Sequence, residues 1–258
     1  MSDSLFSLDI LIAHRGLQSR YPENTILAMR KAIECGAKYI ELDIQFSNDC
    51  LPVIYHDIDL QRVSAEPGNV LHYPRHKLLQ LPAYEPDRLG NSFKSEKISP
   101  LEALVTLLKE NPEVTAFVEL KQESIAHCGR ETMLSAVLKI LEPVKQQVVI
   151  ISYDYLLVQA ARIKQWPRVG VVLEQWQDLY SEIVQKASSD YIFVDHEMIP
   201  EKINPEILNM APLVAFEVGD KALANQLIDK GIAMLETYQL ENFILEQKDL
   251  AKIKPFAT

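Results

Sequence analysis

Long apolar runs are missing from this sequence of 258 residues. No stretch approaches the ~18 consecutive apolar residues of a membrane-spanning helix, so no stable membrane insertion is expected. Basic charge is also in short supply. Lys and Arg number 26 against 36 Asp and Glu, a formal net charge of -10. A nucleic-acid partner would want a basic face and an anionic membrane a basic patch, so neither is expected. Cysteine is sparse and odd in number, with Cys35, Cys50 and Cys128 far apart. That pattern is no disulfide framework and predicts reduced thiols, as in a cytosol. The first residues, Met1 to Asp9, lack the basic start and apolar stretch of a secretory signal, so a cytoplasmic protein is expected. Glycine numbers only 8, and no Gly-rich loop follows the first apolar run. This argues against a doubly wound nucleotide-binding sheet.

What is present is an ordinary globular composition, 48% hydrophobic and 24% charged, arranged as short β-rich runs between amphipathic stretches. Strands are predicted at residues 8–13, 39–44, 114–120, 148–151, 169–173, 191–194, 213–216 and 232–235, with helical stretches between them. Helices are expected at 24–35, 131–141, 155–163 and 221–230, and a last one at about 240–252. Ser99, Pro100 and Glu102 are placed to open another, running to about Glu110. Strand–helix alternation of this kind implies parallel strands, and eight such units in this length predict a (β/α)8 TIM barrel in one domain spanning 1–258. One connection is too long. The residues from 57 to 98 lack helical period and form an extended loop or insertion after the second strand, either a lid or a packed surface excursion. A short extra strand is expected at 51–55.

Active sites of such barrels sit at the C-terminal strand ends, and ionisable residues gather there. The first strand ends in His14-Arg15-Gly16, the second runs through Glu41-Leu42-Asp43, the extra strand leads into His56-Asp57, and the third barrel strand ends in Glu119-Leu120-Lys121. Residues two apart on a strand share a face, so with Leu42 and Leu120 outward, Glu41, Asp43 and Glu119 face inward together. Three inward carboxylates call for a counter-charge, and hard oxygen donors predict one divalent cation, Mg²⁺ or Ca²⁺. Arg15 and Lys121 then suit the anionic oxygens of a phosphodiester. His14 and His56 suit the acid and base that cleavage of such a bond requires, with either assignment open.

These segments resemble the glycerophosphodiester phosphodiesterase family. The likeness runs through His14-Arg15-Gly16, Pro22-Glu23-Asn24-Thr25, Glu41-Leu42-Asp43, His56-Asp57, Leu60 to Ser64, Ile98 to Leu104, Val118 to Lys121 and Ser152-Tyr153-Asp154. The resemblance implies a metal-dependent barrel that hydrolyses a small-molecule glycerophosphodiester to an alcohol and sn-glycerol 3-phosphate. It makes Glu41, Asp43 and Glu119 metal ligands, His14 and His56 the acid–base pair, and Arg15 and Lys121 phosphate contacts. The C-terminal third departs from the family pattern at Val214 to Val218 and Met234 to Tyr238. Phe216 is expected either to wall the substrate pocket or to fill the barrel, and Glu217 and Glu236 either to bind hydroxyls or to face solvent. Two other readings stand beside this one: a related barrel phosphodiesterase acting on lysophospholipids, and a non-catalytic phosphodiester-binding protein. Composition and spacing leave the oligomeric state undetermined.

Overall fold

The computed structural model describes residues 7–245. Ten strands follow in chain order: β1 (Leu11–Ala13), β2 (Tyr39–Phe46), β3 (Pro52–Ile54), β4 (Ser99–Pro100), β5 (Thr115–Leu120), β6 (Val148–Ser152), β7 (Val169–Val172), β8 (Tyr191–Asp195), β9 (Leu213–Phe216) and β10 (Met234–Thr237). Eight of them run parallel in the order β1-β10-β9-β8-β7-β6-β5-β2, and β2 pairs back onto β1, which closes the barrel. The upper end of β2 continues past the barrel and pairs antiparallel with β3, which pairs in turn with β4. The helices are α1 (Ile26–Glu34), α2 (Gln61–Ser64), α3 (Arg75–Leu78), α4 (Pro86–Leu89), α5 (Leu101–Glu110), α6 (Ile125–Cys128), α7 (Arg130–Leu141), α8 (Tyr155–Ile163), α9 (Glu182–Ala187), α10 (Pro205–Leu208) and α11 (Lys221–Asp229). Among the described residues no helix is long and apolar enough to cross a membrane.

The period-two alternation of each strand divides the core in two. Ile40, Leu42 and Ile44 of β2 and Val118 and Leu120 of β5 face outward, under the helices. Ile12, Phe117, Val149, Ile151, Val172, Phe193, Val214 and Met234 fill the barrel itself. Phe117 and Phe193 meet edge to face with centroids 5.1 Å apart, a favoured aromatic geometry. This apolar plug is the floor on which the polar mouth of the barrel rests.

The turn from β1 into α1 depends on Gly16. Its φ is +82°, and a Cβ there would lie 2.6 Å from the backbone carbon of Ala28, so only glycine lets the helix start approach the turn. Thr25 caps α1, its Oγ1 accepting from Ala28 N at 3.1 Å and donating to Pro22 O at 2.8 Å.

Several expectations change. Leu8–Ile10 form a 3-10 turn, and the first strand begins at Leu11. Ser99 and Pro100 pair with β3 as a strand instead of opening the helix, which starts at Leu101 with Pro100 in extended conformation before it. The predicted last helix is present over residues 240–245, and the rest of that range lies outside the described residues. The segment 57–98 holds the single-turn helices α2, α3 and α4 over an apolar cluster of its own that includes Tyr55, Leu60, Val63, Val70 and Leu78. Elements of one turn carry no readable period.

The expectation of reduced thiols is also corrected. Cys50 and Cys128 form a disulfide across a sequence separation of 78. Cys50 lies in the turn between β2 and β3, and Cys128 ends α6, just beyond β5. Because β2 and β5 are hydrogen-bonded neighbours, topology brings together two cysteines that look unrelated along the chain. A disulfide belongs to an oxidising setting, so the cysteine pattern no longer supports a cytoplasmic location.

Candidate active site

Charged residues from several strands converge on the C-terminal mouth of the barrel. A cavity of about 220 Å³ opens there, walled by His14, Arg15, Asp43, His56, Glu119, Lys121, Phe216 and Glu236, with Ile151, Val172 and Phe193 at its base. Glu41 stands behind this wall. Its Oε2 accepts the backbone N–H of Arg15 at 3.1 Å. Register sets the carboxylates side by side: Asp43 lies opposite Glu119 across the β2–β5 ladder. Glu41, Asp43 and Glu119 each present one oxygen within 4.8 Å of the others. All the residues singled out from sequence therefore meet at one place, Phe216 included.

The electrostatics are unfavourable to two of the acids and favourable to both bases. Burial, then repulsion from Asp43 and Glu236, holds the Glu41 carboxyl well above the usual range. Burial also raises Glu119, against the pull of Lys121. Asp43 goes the other way. Burial opposes its ionisation, but Arg15 and Lys121 more than offset this and hold it below the ordinary carboxylate range. Arg15 Nε lies 3.2 Å from Asp43 Oδ2, and Lys121 Nζ lies 2.8 Å from Glu119 Oε1 and 3.6 Å from Asp43 Oδ1. These contacts outweigh burial and raise both bases, so both stay charged.

The two histidines are held in different tautomers. Gln18 Nε2 donates to the carbonyl oxygen of His14 at 3.0 Å, which identifies it as the amide nitrogen, and the same nitrogen lies 3.1 Å from His14 Nδ1. Nδ1 therefore accepts, and Nε2 carries the proton. Burial and the charge of Arg15 pull the pKa of His14 down to about 3, so the ring is neutral. His56 Nδ1 lies 2.6 Å from Asp57 Oδ1. The carboxylate can only accept, so Nδ1 donates, and in the neutral ring Nε2 is the acceptor.

A sequence profile of the glycerophosphoryl diester phosphodiesterase family matches residues 14–215. The chain belongs to this family. A glycerophosphodiester phosphodiesterase of Caldanaerobacter subterraneus subsp. tengcongensis is 27% identical over 241 residues, 91% of this chain and 96% of that protein. Glycerophosphodiester phosphodiesterase 1 of Mus musculus is 36% identical over 129 residues, 50% of this chain, and the match spans about a third (36%) of that relative's length. Among solved structures, a phosphodiesterase of Oleispira antarctica in complex with the product sn-glycerol-3-phosphate superposes with a TM-score of 0.79 at 23% identity. It covers 93% of this chain and 96% of that one.

The family match stops before the end of β9 and all of β10, and the residue missed by sequence reasoning lies beyond it. Glu236 is not solvent-facing. It is buried, and its Oε1 is 3.4 Å from His14 Nε2. Burial, together with Glu119 and Asp43, raises its carboxyl well above the usual range. Strand parity was the available signal: Leu235 pairs with Leu11 and faces the helices, which turns Glu236 inward beside Ile12. Glu217, by contrast, is exposed at the cavity rim. Asn24, part of the family's Pro-Glu-Asn-Thr segment, also does more than its type suggests. Its Nδ2 donates to Asp43 Oδ2, and its Oδ1 accepts from Asp43 N, both at 2.9 Å.

Proposed function

We propose that this chain hydrolyses small-molecule glycerophosphodiesters to an alcohol and sn-glycerol 3-phosphate, with one divalent cation and with His14 and His56 moving the protons. One observation carries the reading: Asp43, Glu119, Arg15, Lys121, His14 and His56 line a single cavity of about 220 Å³, with Glu41 behind its wall and an oxygen of each of the three carboxylates within 4.8 Å of the others. Family membership supports it, as does the product bound by the Oleispira antarctica protein.

Glu41, Asp43 and Glu119 would hold the cation. The set is all hard oxygen, which suits Mg²⁺ or Ca²⁺. The raised carboxyls of Glu41 and Glu119 indicate that Arg15 and Lys121 leave it short of positive charge. When bound, the cation would supply that charge and polarise a phosphate oxygen. Arg15 and Lys121 bind the remaining anionic oxygens, and their burial keeps water from screening them. The lone pair on His56 Nε2 takes a proton of the attacking water. The N–H on His14 Nε2 donates to the leaving oxygen, a role that a neutral imidazole can fill. Phe216 and Phe193 give the carbon skeleton an apolar wall.

The test is release of glycerol 3-phosphate from glycerophosphocholine and glycerophosphoethanolamine by metal-stripped protein, before and after adding Mg²⁺ or Ca²⁺. Cation-dependent release is expected, with His14→Ala and His56→Ala each lowering the rate about 10²–10⁴-fold. Cation-independent release would remove the metal from the reading. Binding without release would assign the non-catalytic role, and turnover of lysophospholipids alone would move the substrate class.

A further inference from the structure

We propose that Arg62 is a positioning residue that aligns His56 and Arg15 with one another, acting through Asp57 and Glu23; the inference rests on the catalytic reading above. Arg62 lies in α2, outside the barrel, on the segment that follows β3. Its guanidinium uses both edges. Nε donates to Asp57 Oδ2 at 2.7 Å and Nη2 to Asp57 Oδ1 at 2.9 Å, while Nη1 donates to Glu23 Oε2 at 2.8 Å and Nη2 to Glu23 Oε1 at 2.7 Å. Each carboxylate is shared with a site residue. Asp57 Oδ1 accepts from His56 Nδ1 at 2.6 Å, and Glu23 Oε1 accepts from Arg15 Nη1 at 3.0 Å. Arg15 then reaches Asp43. An unbroken arc of charged contacts thus runs from the nitrogen behind the lone pair of His56 to a carboxylate of the barrel mouth.

Charge explains why the arc needs its keystone. The Glu23 side chain is only 4% exposed and must have cations to remain ionised. Glu85, whose Oε2 accepts the Glu23 N–H, is paired chiefly with Arg88 and also lies 3.8 Å from Arg62 Nη1, so it leaves neither guanidinium free to serve Glu23 alone. Without Arg62, Glu23 would have Arg15 alone as its cation and would draw that guanidinium from Asp43 and from the phosphate. Asp57 would lose the fork that fixes its plane, and with it the orientation of the His56 ring. Lysine keeps the charge but cannot grip two carboxylates with two parallel edges.

The test compares wild type with Arg62→Lys, Arg62→Met, Asp57→Asn and Glu23→Gln on glycerophosphocholine at saturating cation, reading kcat, KM and the inhibition constant of glycerol 3-phosphate. Arg62→Met is expected to lose about 10²-fold in kcat/KM, the cost of misplacing catalytic groups by about 1 Å, divided between kcat and KM. Asp57→Asn is expected to reproduce mainly the kcat part, and Glu23→Gln mainly the KM part together with weaker product inhibition. Arg62→Lys should recover less than a tenth of the loss. Should Arg62→Met fail to fold, Arg62→Lys decides: wild-type kcat and KM in that variant overturn the proposal. A lowered melting temperature with unchanged kcat and KM also overturns it, because a merely structural role would do only that. An inactive wild type would instead overturn the catalytic reading itself.

Discussion

Among the described residues no Lys or Arg forms an ion pair with Glu236, and Arg15 only partly offsets the repulsion of its neighbouring carboxylates. Glu236 is 4% exposed, and the nearest cation-capable group is His14, whose ring is neutral. With Glu41, Asp43 and Glu119 it brings four carboxylates into a space that holds two buried bases. A carboxyl whose folded pKa is raised costs stability once pH exceeds its unfolded value of about 4.5. In metal-free protein, Glu236→Gln should therefore raise stability by on the order of 1 kcal/mol at pH 7–8. The gain should vanish toward pH 4 and shrink when a divalent cation is added. Thermal unfolding with and without chelator over that pH range would show it, and a gain independent of pH would disprove the electrostatic account. At this scale the sequence was informative wherever two site residues flank an outward leucine, as in Glu41-Leu42-Asp43 and Glu119-Leu120-Lys121. It was mute on partnership: Arg62 and Glu23 are 39 residues apart, and no local spacing shows that they meet.

Elements position these residues with little slack. The turn from β1 to α1 carries Arg15, Glu23 and Asn24, and the last three residues before α1 are tied down by Thr25. Thr25→Ala removes both the cap and the bond to Pro22 O, and is expected to cost about 1–2 kcal/mol. Thr25→Ser keeps the hydroxyl and should recover most of it. Since Asn24 grips Asp43 from the same turn, the alanine variant should also bind Mg²⁺ or Ca²⁺ more weakly by calorimetry. Equal affinity in both variants would show that the cap serves the helix alone. Other elements were readable in advance: α8 and β9 occupy their expected residues, because a nine-residue amphipathic stretch shows its period and Leu213–Phe216 is a short unbroken apolar run of the kind a buried parallel strand has. The segment 57–98 was not, since its helices are single turns whose stability comes from the cluster beneath them.

For the whole molecule, the Cys50–Cys128 link is the feature with the longest reach. It ties the loop after β2 to the loop after β5, the two barrel strands that carry Glu41, Asp43 and Glu119. In the chain-entropy picture, closing a loop across a separation of 78 residues is worth about 4.5 kcal/mol, and measured values commonly fall near 2–4 kcal/mol. The carboxylates themselves are aligned by the β2–β5 ladder, which pairs six residues from Tyr39 with Thr115 to Ile44 with Leu120 and does not need the link. Reduction, or a Cys50→Ser, Cys128→Ser double substitution, should therefore lower the melting temperature, by roughly 2–4 °C per kcal/mol for a protein of this size. The rate at 25 °C should stay within about twofold, since the ladder persists. Mass spectrometry after alkylation should find two more modified cysteines in reduced than in oxidised protein. Loss of activity without loss of melting temperature would mean that the link, and not the ladder, holds the carboxylates in place.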